Sequence, residues 1–506
     1  MKKPIWFSFK LIPSIIGLLL FICSLPMKQY AFSFISVFFI FGFPLIFYLI
    51  LKFKLVYRIW IKTSLILILV SSIIIFSFFA RGTLKSRNSS EVWKMHHIDN
   101  PGFILPNGLD AADVNKDGYN DYVTNYEWDG KIRIAFHPGL EKVKDSWRAI
   151  TIGHIKNAES AAFGDFDSDG NFDVVVAHGG ELLAQSGVCF IWGPEQASVL
   201  DSTTWEQTKD INGTENAGHF HYIKGRDING DNLTDVVVGG RGKKTRAGLK
   251  WIEAPSNPLD RRDLTKWFVH IIDPDLESGH GFAFGDIDLD GDVDIALCNS
   301  DWDTEESDEK VILYINPTFG PPEQEDNWYK YIVYQGSEFY SKEQVILYDL
   351  SGDNYLDILI QTEAHIYWFK NPGFEYSFWD LIKIQKDEKA IWRARALKIA
   401  DIDNDDRPDI LGMLIHKNGR LPTNKAAVFW MQYSGDYPQF ANWTTITIKW
   451  GDGFVGLGKY NGEKWDQCLF EDVDLDGDID IVANCEEFNS LGFVNIAVVW
   501  FENPLN

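Results

Sequence analysis

The chain is short of cysteine, of cations and, over its opening stretch, of any acid at all. Five cysteines in 506 residues are too few for a disulfide scaffold. Cys23 lies in an apolar run, and Cys189, Cys298, Cys468 and Cys485 are scattered. Cys468 and Cys485 flank one acidic loop, so they meet across a hairpin as a bridge or, the commoner state of such residues, stay free and buried. With 47 Lys+Arg against 72 Asp+Glu and a net charge of −25, the chain lacks the basic surface that nucleic acid selects. No Gly-rich phosphate loop, serine-nucleophile motif or zinc-ligand spacing is present. The stretch "GDGFVGLGKYNG" (451–462) has glycines without a nucleotide-binding order and reads as an enlarged loop.

The first 80 residues contain no Asp or Glu. Within 1–81, three apolar runs, about 11–27, 30–51 and 63–80, each approach the ~20 residues that cross a bilayer core. One run behind Lys2 and Lys3 would suit a signal peptide, but two more follow at once. Three transmembrane helices are therefore expected. Lys2, Lys3 and Lys10 precede the first run, and Lys52, Lys54, Arg58 and Lys62 separate the second from the third, whereas only Lys28 occupies the first loop. The positive-inside rule then puts the N-terminus in the cytoplasm, and everything past a linker at 82–90 outside it, in a multi-pass protein of the cell membrane.

The acid lies downstream, and it repeats. The motif D-x-[DNS]-x-D-[GND]-x-x-D begins at Asp113, Asp165, Asp227, Asp286, Asp349, Asp401 and Asp472, a period of roughly 60 residues that suits a repeat architecture. Upstream of the copies lie stretches that open on tryptophan, "WKMHHI" (93–98), "WRAITI" (147–152), "WFVHII" (267–272), "WYKYIV" (328–333), "WDLIKI" (379–384) and "WTTITI" (443–448), with a degenerate "WEQTKDI" at 205–211. Downstream come a β-branched run such as "DVVVA" and an aromatic strand that ends near proline: "AFHP", "IWGP", "WIEAP", "YINP", "WFKNP", "WFENP". Only "FWMQY" (429–433) lacks the proline. Short apolar runs bounded by Gly, Pro, Asn and Asp predict strands. Each unit supplies four, A before the acidic loop, B after it, C with the aromatic ending and D at the tryptophan. Four-stranded units repeated radially make a β-propeller, which packs a long chain as sheet on sheet. The fold class expected for 91–506 is thus all-β, a seven-bladed propeller. The chain enters at a D-type strand and finishes at a C-type strand, so pairing the two closes the ring and removes two edges.

Carboxylates at loop positions 1, 3, 5 and 9, with a left-handed turn at position 6, wrap a hard cation in oxygen, and calcium accepts six to eight oxygens. The candidate ligands are Asp113, Asn115, Asp117 and Asp121 in the first loop and Asp165, Asp167, Asp169 and Asp173 in the second. Asp227, Asn229, Asp231 and Asp235 follow, then Asp286, Asp288, Asp290 and Asp294. The last three loops offer Asp349, Ser351, Asp353 and Asp357; Asp401, Asp403, Asp405 and Asp409; and Asp472, Asp474, Asp476 and Asp480. Position 6 reads Gly118, Gly170, Asn232, Gly291, Asn354, Asp406 and Gly477, residue types that tolerate positive φ. An EF-hand is rejected, because it needs Glu at position 12 and flanking helices, whereas Val176, Leu297 and Ala483 stand there in three loops. Solvated Asx turns that bind nothing explain one such loop more easily than seven in register. Up to seven Ca2+ ions are expected, fewest contacts being offered where position 3 is neutral.

The stretches "AFGDFDSDGNFDVVVAHG", "FAFGDIDLDGDVDIALCN" and "FEDVDLDGDIDIVANC" resemble FG-GAP/VCBS-type repeats, the calcium-loop propeller repeats also found in integrin α-subunit heads. The resemblance spans about 91–506 and implies a seven-bladed propeller with calcium on the A–B loop face. It implies no one activity: such propellers serve adhesion, glycan binding and, in some lyases and dehydratases, catalysis. The copies lack a consistent "GAP" element, which sets them apart from the integrin pattern, and the leading apolar runs match no family pattern.

Six residues before each first aspartate stand Asn107, Glu159, His221, His280, Glu343, Arg395 and Asp466, all polar. They open strand A on the face opposite the acidic loops. Acids and histidines there suit proton transfer and arginine suits a carboxylate or sugar acid, while a wet channel mouth merely tolerates polar residues. The B–C loops add Trp128, His178, Arg241, Trp302, Asp303 and His416. Asn88, Asn212, Asn232 and Asn442 begin N-x-S/T sequons. The function expected is a membrane-anchored, calcium-stabilised extracytoplasmic propeller that recognises a glycan or protein through the non-calcium face. The alternative is a carbohydrate-active enzyme of lyase or dehydratase type acting at the channel mouth.

Overall fold

The computed structural model describes residues 93–180, 186–241, 247–299, 309–317, 328–336, 344–373, 378–416, 425–433, 443–451, 462–488 and 496–505. The apolar runs at 11–27, 30–51 and 63–80, the linker, Glu343, Trp302, Asp303 and most of 451–462 lie outside them. Among the described residues no helix is long and apolar enough to cross a membrane.

The chain opens with β1 (Lys94–Asp99). Blade one is β2 (Asp110–Ala112), β3 (Asp121–Tyr126), β4 (Lys131–Phe136) and β5 (Arg148–His154). Blade two is β6 (Ala158–Gly164), β7 (Asp173–His178), β8 (Gly187–Trp192) and β9 (Glu206–Asp210). Blade three is β10 (His219–Arg226), β11 (Asp235–Arg241), β12 (Leu249–Glu253) and β13 (Phe268–Asp273). Blade four is β14 (Phe282–Gly285), β15 (Asp294–Asn299), β16 (Lys310–Ile315) and β17 (Tyr329–Gln335). Blade five is β18 (Val345–Tyr348), β19 (Asp357–Gln361), β20 (His365–Lys370) and β21 (Asp380–Gln385). Blade six is β22 (Ala394–Ala400), β23 (Asp409–Leu414), β24 (Ala426–Tyr433) and β25 (Trp443–Trp450). Blade seven is β26 (Gly462–Glu471), β27 (Asp480–Phe488) and β28 (Val498–Glu502), with β1 as its fourth strand, antiparallel to β28.

The seven antiparallel sheets bury their middle strands on both faces, which is why B strands such as "DVVVAH" are continuous apolar runs instead of alternating ones. The apolar side chains form seven clusters, each shared by two adjacent blades: Val123 and Ile134 of blade one meet Val174 and Ile191 of blade two, and Tyr122 and Trp147 of blade one meet Val482 and Trp500 of blade seven. Outer strands such as β9 and β17 stay largely exposed. In blades one to three the tryptophan that starts the D strand is buried and tied down: the indoles of Trp147, Trp205 and Trp267 donate to the carbonyls of Val143, Val199 and Arg261. Trp205, in the degenerate stretch, keeps both the place and the bond. The A strands line the centre, where Lys224 of blade three reaches Asp110 of blade one at 2.8 Å. Cys189, Cys298, Cys468 and Cys485 are buried thiols; Cys468 and Cys485 stand on neighbouring strands of one core without a bridge.

Candidate functional site

Every acidic loop is wound by the same three carboxylates. The position 1 aspartate accepts the position 6 N–H at 2.7–3.1 Å in all seven loops, as Asp113 does from Gly118 and Asp472 from Gly477. Position 5 accepts the N–H of position 7, as in Asp117 to Tyr119 and Asp290 to Asp292. Position 6 has positive φ in every loop, as its residue types require. Position 4 does too, which the sequence reading missed: Lys116, Ser168, Leu289, Asn404 and Leu475 adopt it beside Gly230 and Gly352. For a leucine this conformation is strained and persists only where the surroundings dictate it.

Position 9 is different. Asp121, Asp173, Asp235, Asp294, Asp357, Asp409 and Asp480 are all fully buried. One oxygen of each takes the N–H of loop position 2, and the other takes an N–H at the end of strand C; Asp294, for example, accepts from Ile287 at 2.9 Å and Asn316 at 2.8 Å. Burial pushes these carboxyls up, to about 6 for Asp357 and about 8 for Asp173 and Asp480.

Four loops gather carboxylate oxygens of positions 1, 3 and 9 within 4.8 Å of one another: Asp165, Asp167 and Asp173; Asp286, Asp288 and Asp294; Asp401, Asp403 and Asp409; Asp472, Asp474 and Asp480. They are the loops with aspartate at position 3. Where Asn115, Asn229 or Ser351 stands instead, no such group forms among the described residues, and Asn115 donates its amide to Asp117. Position 5 stays outside all four groups. In three of them a buried oxygen, of Asp165, Asp403 or Asp474, has no hydrogen-bond partner, an arrangement that costs free energy unless a cation faces it. The donor set therefore fits calcium. Part of the charge is already met by the protein: Arg262 pairs with Asp167, Arg407 with Asp405, Lys370 with Asp353 and Lys144 with Asp474.

At the other end of the A strands the structure brings most of the expected polar ring together. Glu159 is the hub: Asn107 donates to it at 3.1 Å, His219 Nε2 lies 2.9 Å away and His221 Nε2 3.4 Å away. His280 stacks on His221 at 3.8 Å. Burial, then the His280 ring, holds His221 well below its ordinary value. Arg395 pairs with Asp466 at 2.9 Å, and Lys464 bridges Asp466 and Glu486 at 2.7 and 3.0 Å. Burial works against the charge of Lys464, but the two carboxylates outweigh it and raise its value. Glu127 joins the halves: burial, then Glu159 and Glu486, push its carboxyl up to about 8. The six described ring residues are all under a tenth exposed, more enclosed than a wet mouth requires.

Sequence reasoning missed His219, Glu127, Lys464 and Glu486, and it missed a deeper tier. Three residues before each first aspartate stand Asp110, Ala162, Lys224, Ala283, Ile346, Lys398 and Leu469. The three charges among apolar residues were a visible signal in the same register. Of the B–C loop residues, Arg241 faces the cluster and Trp128 is 70% exposed. His416 is buried against Trp392, and His178 belongs to a separate group.

A model for the FG-GAP-like repeat matches residues 106–176 and 349–412, which hold the loops of blades one, two, five and six. The chain carries FG-GAP-like repeats. No curated protein matches it. Among solved structures it is similar to a chain of the crystal structure of BBS1N in complex with ARL6DN, soaked with mercury, at 11% identity and a TM-score of 0.45 over 81% of this chain and 97% of that one. A likeness at that level carries no argument about function.

Proposed function

We propose that this FG-GAP-type propeller is a membrane-anchored recognition module, held outside the cytoplasm and stabilised by calcium, that takes a glycan or protein ligand at the face opposite the acidic loops. The observation that carries the reading is the polar cluster around Glu159, His221, His280, Arg395 and Asp466, gathered from separate blades at one end of the A strands. Convergent charged and hydrogen-bonding groups in a concave setting are what a polar ligand needs. The three apolar runs and their cationic flanks support the anchor and its orientation. The four carboxylate groups support calcium, with dissociation constants on the order of 10⁻⁴–10⁻³ M as in extracellular modules.

The test uses the full chain in detergent, with a glycan array and cell-surface proteins as probes. His280→Gln and Arg395→Lys should each weaken a captured ligand about tenfold or more, roughly 1.4 kcal/mol, while calcium still raises the melting temperature. Binding unchanged in both variants would place the ligand elsewhere. Calcium that leaves the melting curve of the wild type unmoved would remove the metal from the reading. A carbohydrate-active enzyme of lyase or dehydratase type is the second reading. Glu127, held protonated near neutral pH beside Glu159, is the pairing that favours it. Glu127→Gln should then abolish turnover and spare binding.

A further inference from the structure

We propose that His178, Cys189 and Asp210 form a transition-metal site of zinc type in blade two, separate in chemistry from the acidic loops. The three residues come from adjacent strands β7, β8 and β9, and the register puts them on one face. Cys189 pairs directly with Asp210 and with Val176, two residues before His178 on the same side of the sheet. One ligand atom from each lies within 4.8 Å of the other two, and His178 Nε2 is 2.7 Å from Asp210 Oδ1. Among the described residues no other group combines an imidazole, a thiol and a carboxylate.

Two features mark the place as built. Gly187 faces His178 across the β7–β8 pair, and a Cβ there would lie 2.4 Å from Asp210 Cγ. Only glycine leaves the room in which the carboxylate folds over the strand towards the imidazole. Beside the three residues a cavity of about 220 Å³ is lined also by Ile155, Lys156, Gln207 and Thr208. Cys189 itself sits at the edge of the core between blades one and two, and Asp210 opens the group to solvent.

The donor set chooses the metal class. Calcium and magnesium take oxygen, whereas a sulfur, an imidazole nitrogen and a carboxylate suit zinc and its neighbours. Three protein ligands with a cavity alongside leave a fourth position for water or a small ligand. On binding, the Cys189 thiol gives its proton to solvent and the metal replaces the hydrogen bond between His178 and Asp210. A cysteine nucleophile is the competing use of these groups, but a carboxylate beside the thiol opposes the thiolate such chemistry needs.

The test is cobalt(II) added to the full chain in detergent, metal-stripped, reduced and saturated with calcium so that the oxygen sites are filled. A near-ultraviolet thiolate-to-cobalt charge-transfer band should appear, saturate at a single ion and disappear on addition of zinc. Cys189→Ser should abolish the band while the calcium-dependent melting is retained. Asp210→Asn keeps the thiol and should weaken cobalt binding by at least the ~10–100-fold that even outer-sphere losses cause. No band in the wild type overturns the site, as does a band that survives in Cys189→Ser. If Cys189→Ser does not fold, an unchanged cobalt affinity in Asp210→Asn overturns it equally.

Discussion

The aspartate that ends each acidic loop acts first through the backbone. Asp294 has no solvent exposure and spends both oxygens on N–H groups, one in its loop and one past strand C. It clamps three segments whether or not an ion is present. Asp294→Ala leaves two buried donors without an acceptor, at a cost of roughly 2–6 kcal/mol. Urea unfolding should show that loss in chelator as well as in calcium. Asp288→Asn should lower stability in calcium only. A second residue adds a pH dependence of its own. The Lys386 ammonium is buried without a hydrogen-bond partner, 5.6 Å from the Phe429 ring. Burial lowers its value to about 7, against a weaker upward pull from Glu363. Lys386 therefore binds less of a proton in the native state than in the unfolded one between about pH 7 and about 10.4, and its own contribution to stability rises with pH across that window. Below it the penalty is complete, on the order of 3–5 kcal/mol. Lys386→Met should raise stability most at pH 6 and by little near pH 10.5; a gain independent of pH would mean that packing, not charge, is responsible.

Between residues and blades lies a chain of contacts from loop to loop. In blades one, four, five and seven the residue just past strand C sends its side chain to position 2 of the acidic loop of the preceding blade: Asn316 donates to Ile228 O, Asn371 to Ile287 O and Asn503 to Ile402 O, and His137 Nε2 meets Val473 O. Its own N–H meanwhile holds a position 9 aspartate. The recurrent "NP" and "HP" thus owe their first residue to a bridge between blades. Asn371→Ala should cost about 1–3 kcal/mol by leaving the Ile287 and Leu356 carbonyls unmet. Calcium affinity in the Asp286 loop should fall with it, and calorimetry on the variant checks both. Period and composition made the blades legible: the tryptophan fixes where D begins and the D-x-D-x-D spacing fixes the A–B turn. The two roles of the carboxylates were not legible, because position 9 and position 1 are both simply aspartate. Burial by neighbouring blades separates them, and burial by a neighbour about 60 residues away leaves no local mark. The polar ring was legible by register, but its partners Glu127, just past strand β3, and Glu486, in strand β27, stand on the B side of the blades, outside that register.

At the scale of the molecule the ring holds because its ends meet. Strand β1 pairs Met95 with Phe501 and His96 with Trp500, and the His96 ring stacks on Trp500 at 4.6 Å. Trp93 is buried in the core between blades six and seven, and Ile98 in the core between blades seven and one. Asp99 carries the closure on into blade one, taking Arg133 Nε at 2.7 Å and the Tyr126 hydroxyl at 3.0 Å. One short strand therefore serves two inter-blade cores and covers the last free edge. Burying Trp93 and Ile98 is worth about 1.5–3 kcal/mol each, and the open β28 edge left by their removal invites pairing with another chain. Deletion of 91–100 should lower the melting temperature sharply, and size-exclusion chromatography should show assemblies larger than the wild type. Asp99→Asn is the milder version: it keeps β1 but weakens the tie to Arg133, and should destabilise without association. A deletion variant as stable and as monodisperse as the wild type would show that the remaining six complete blades hold the ring without its clasp.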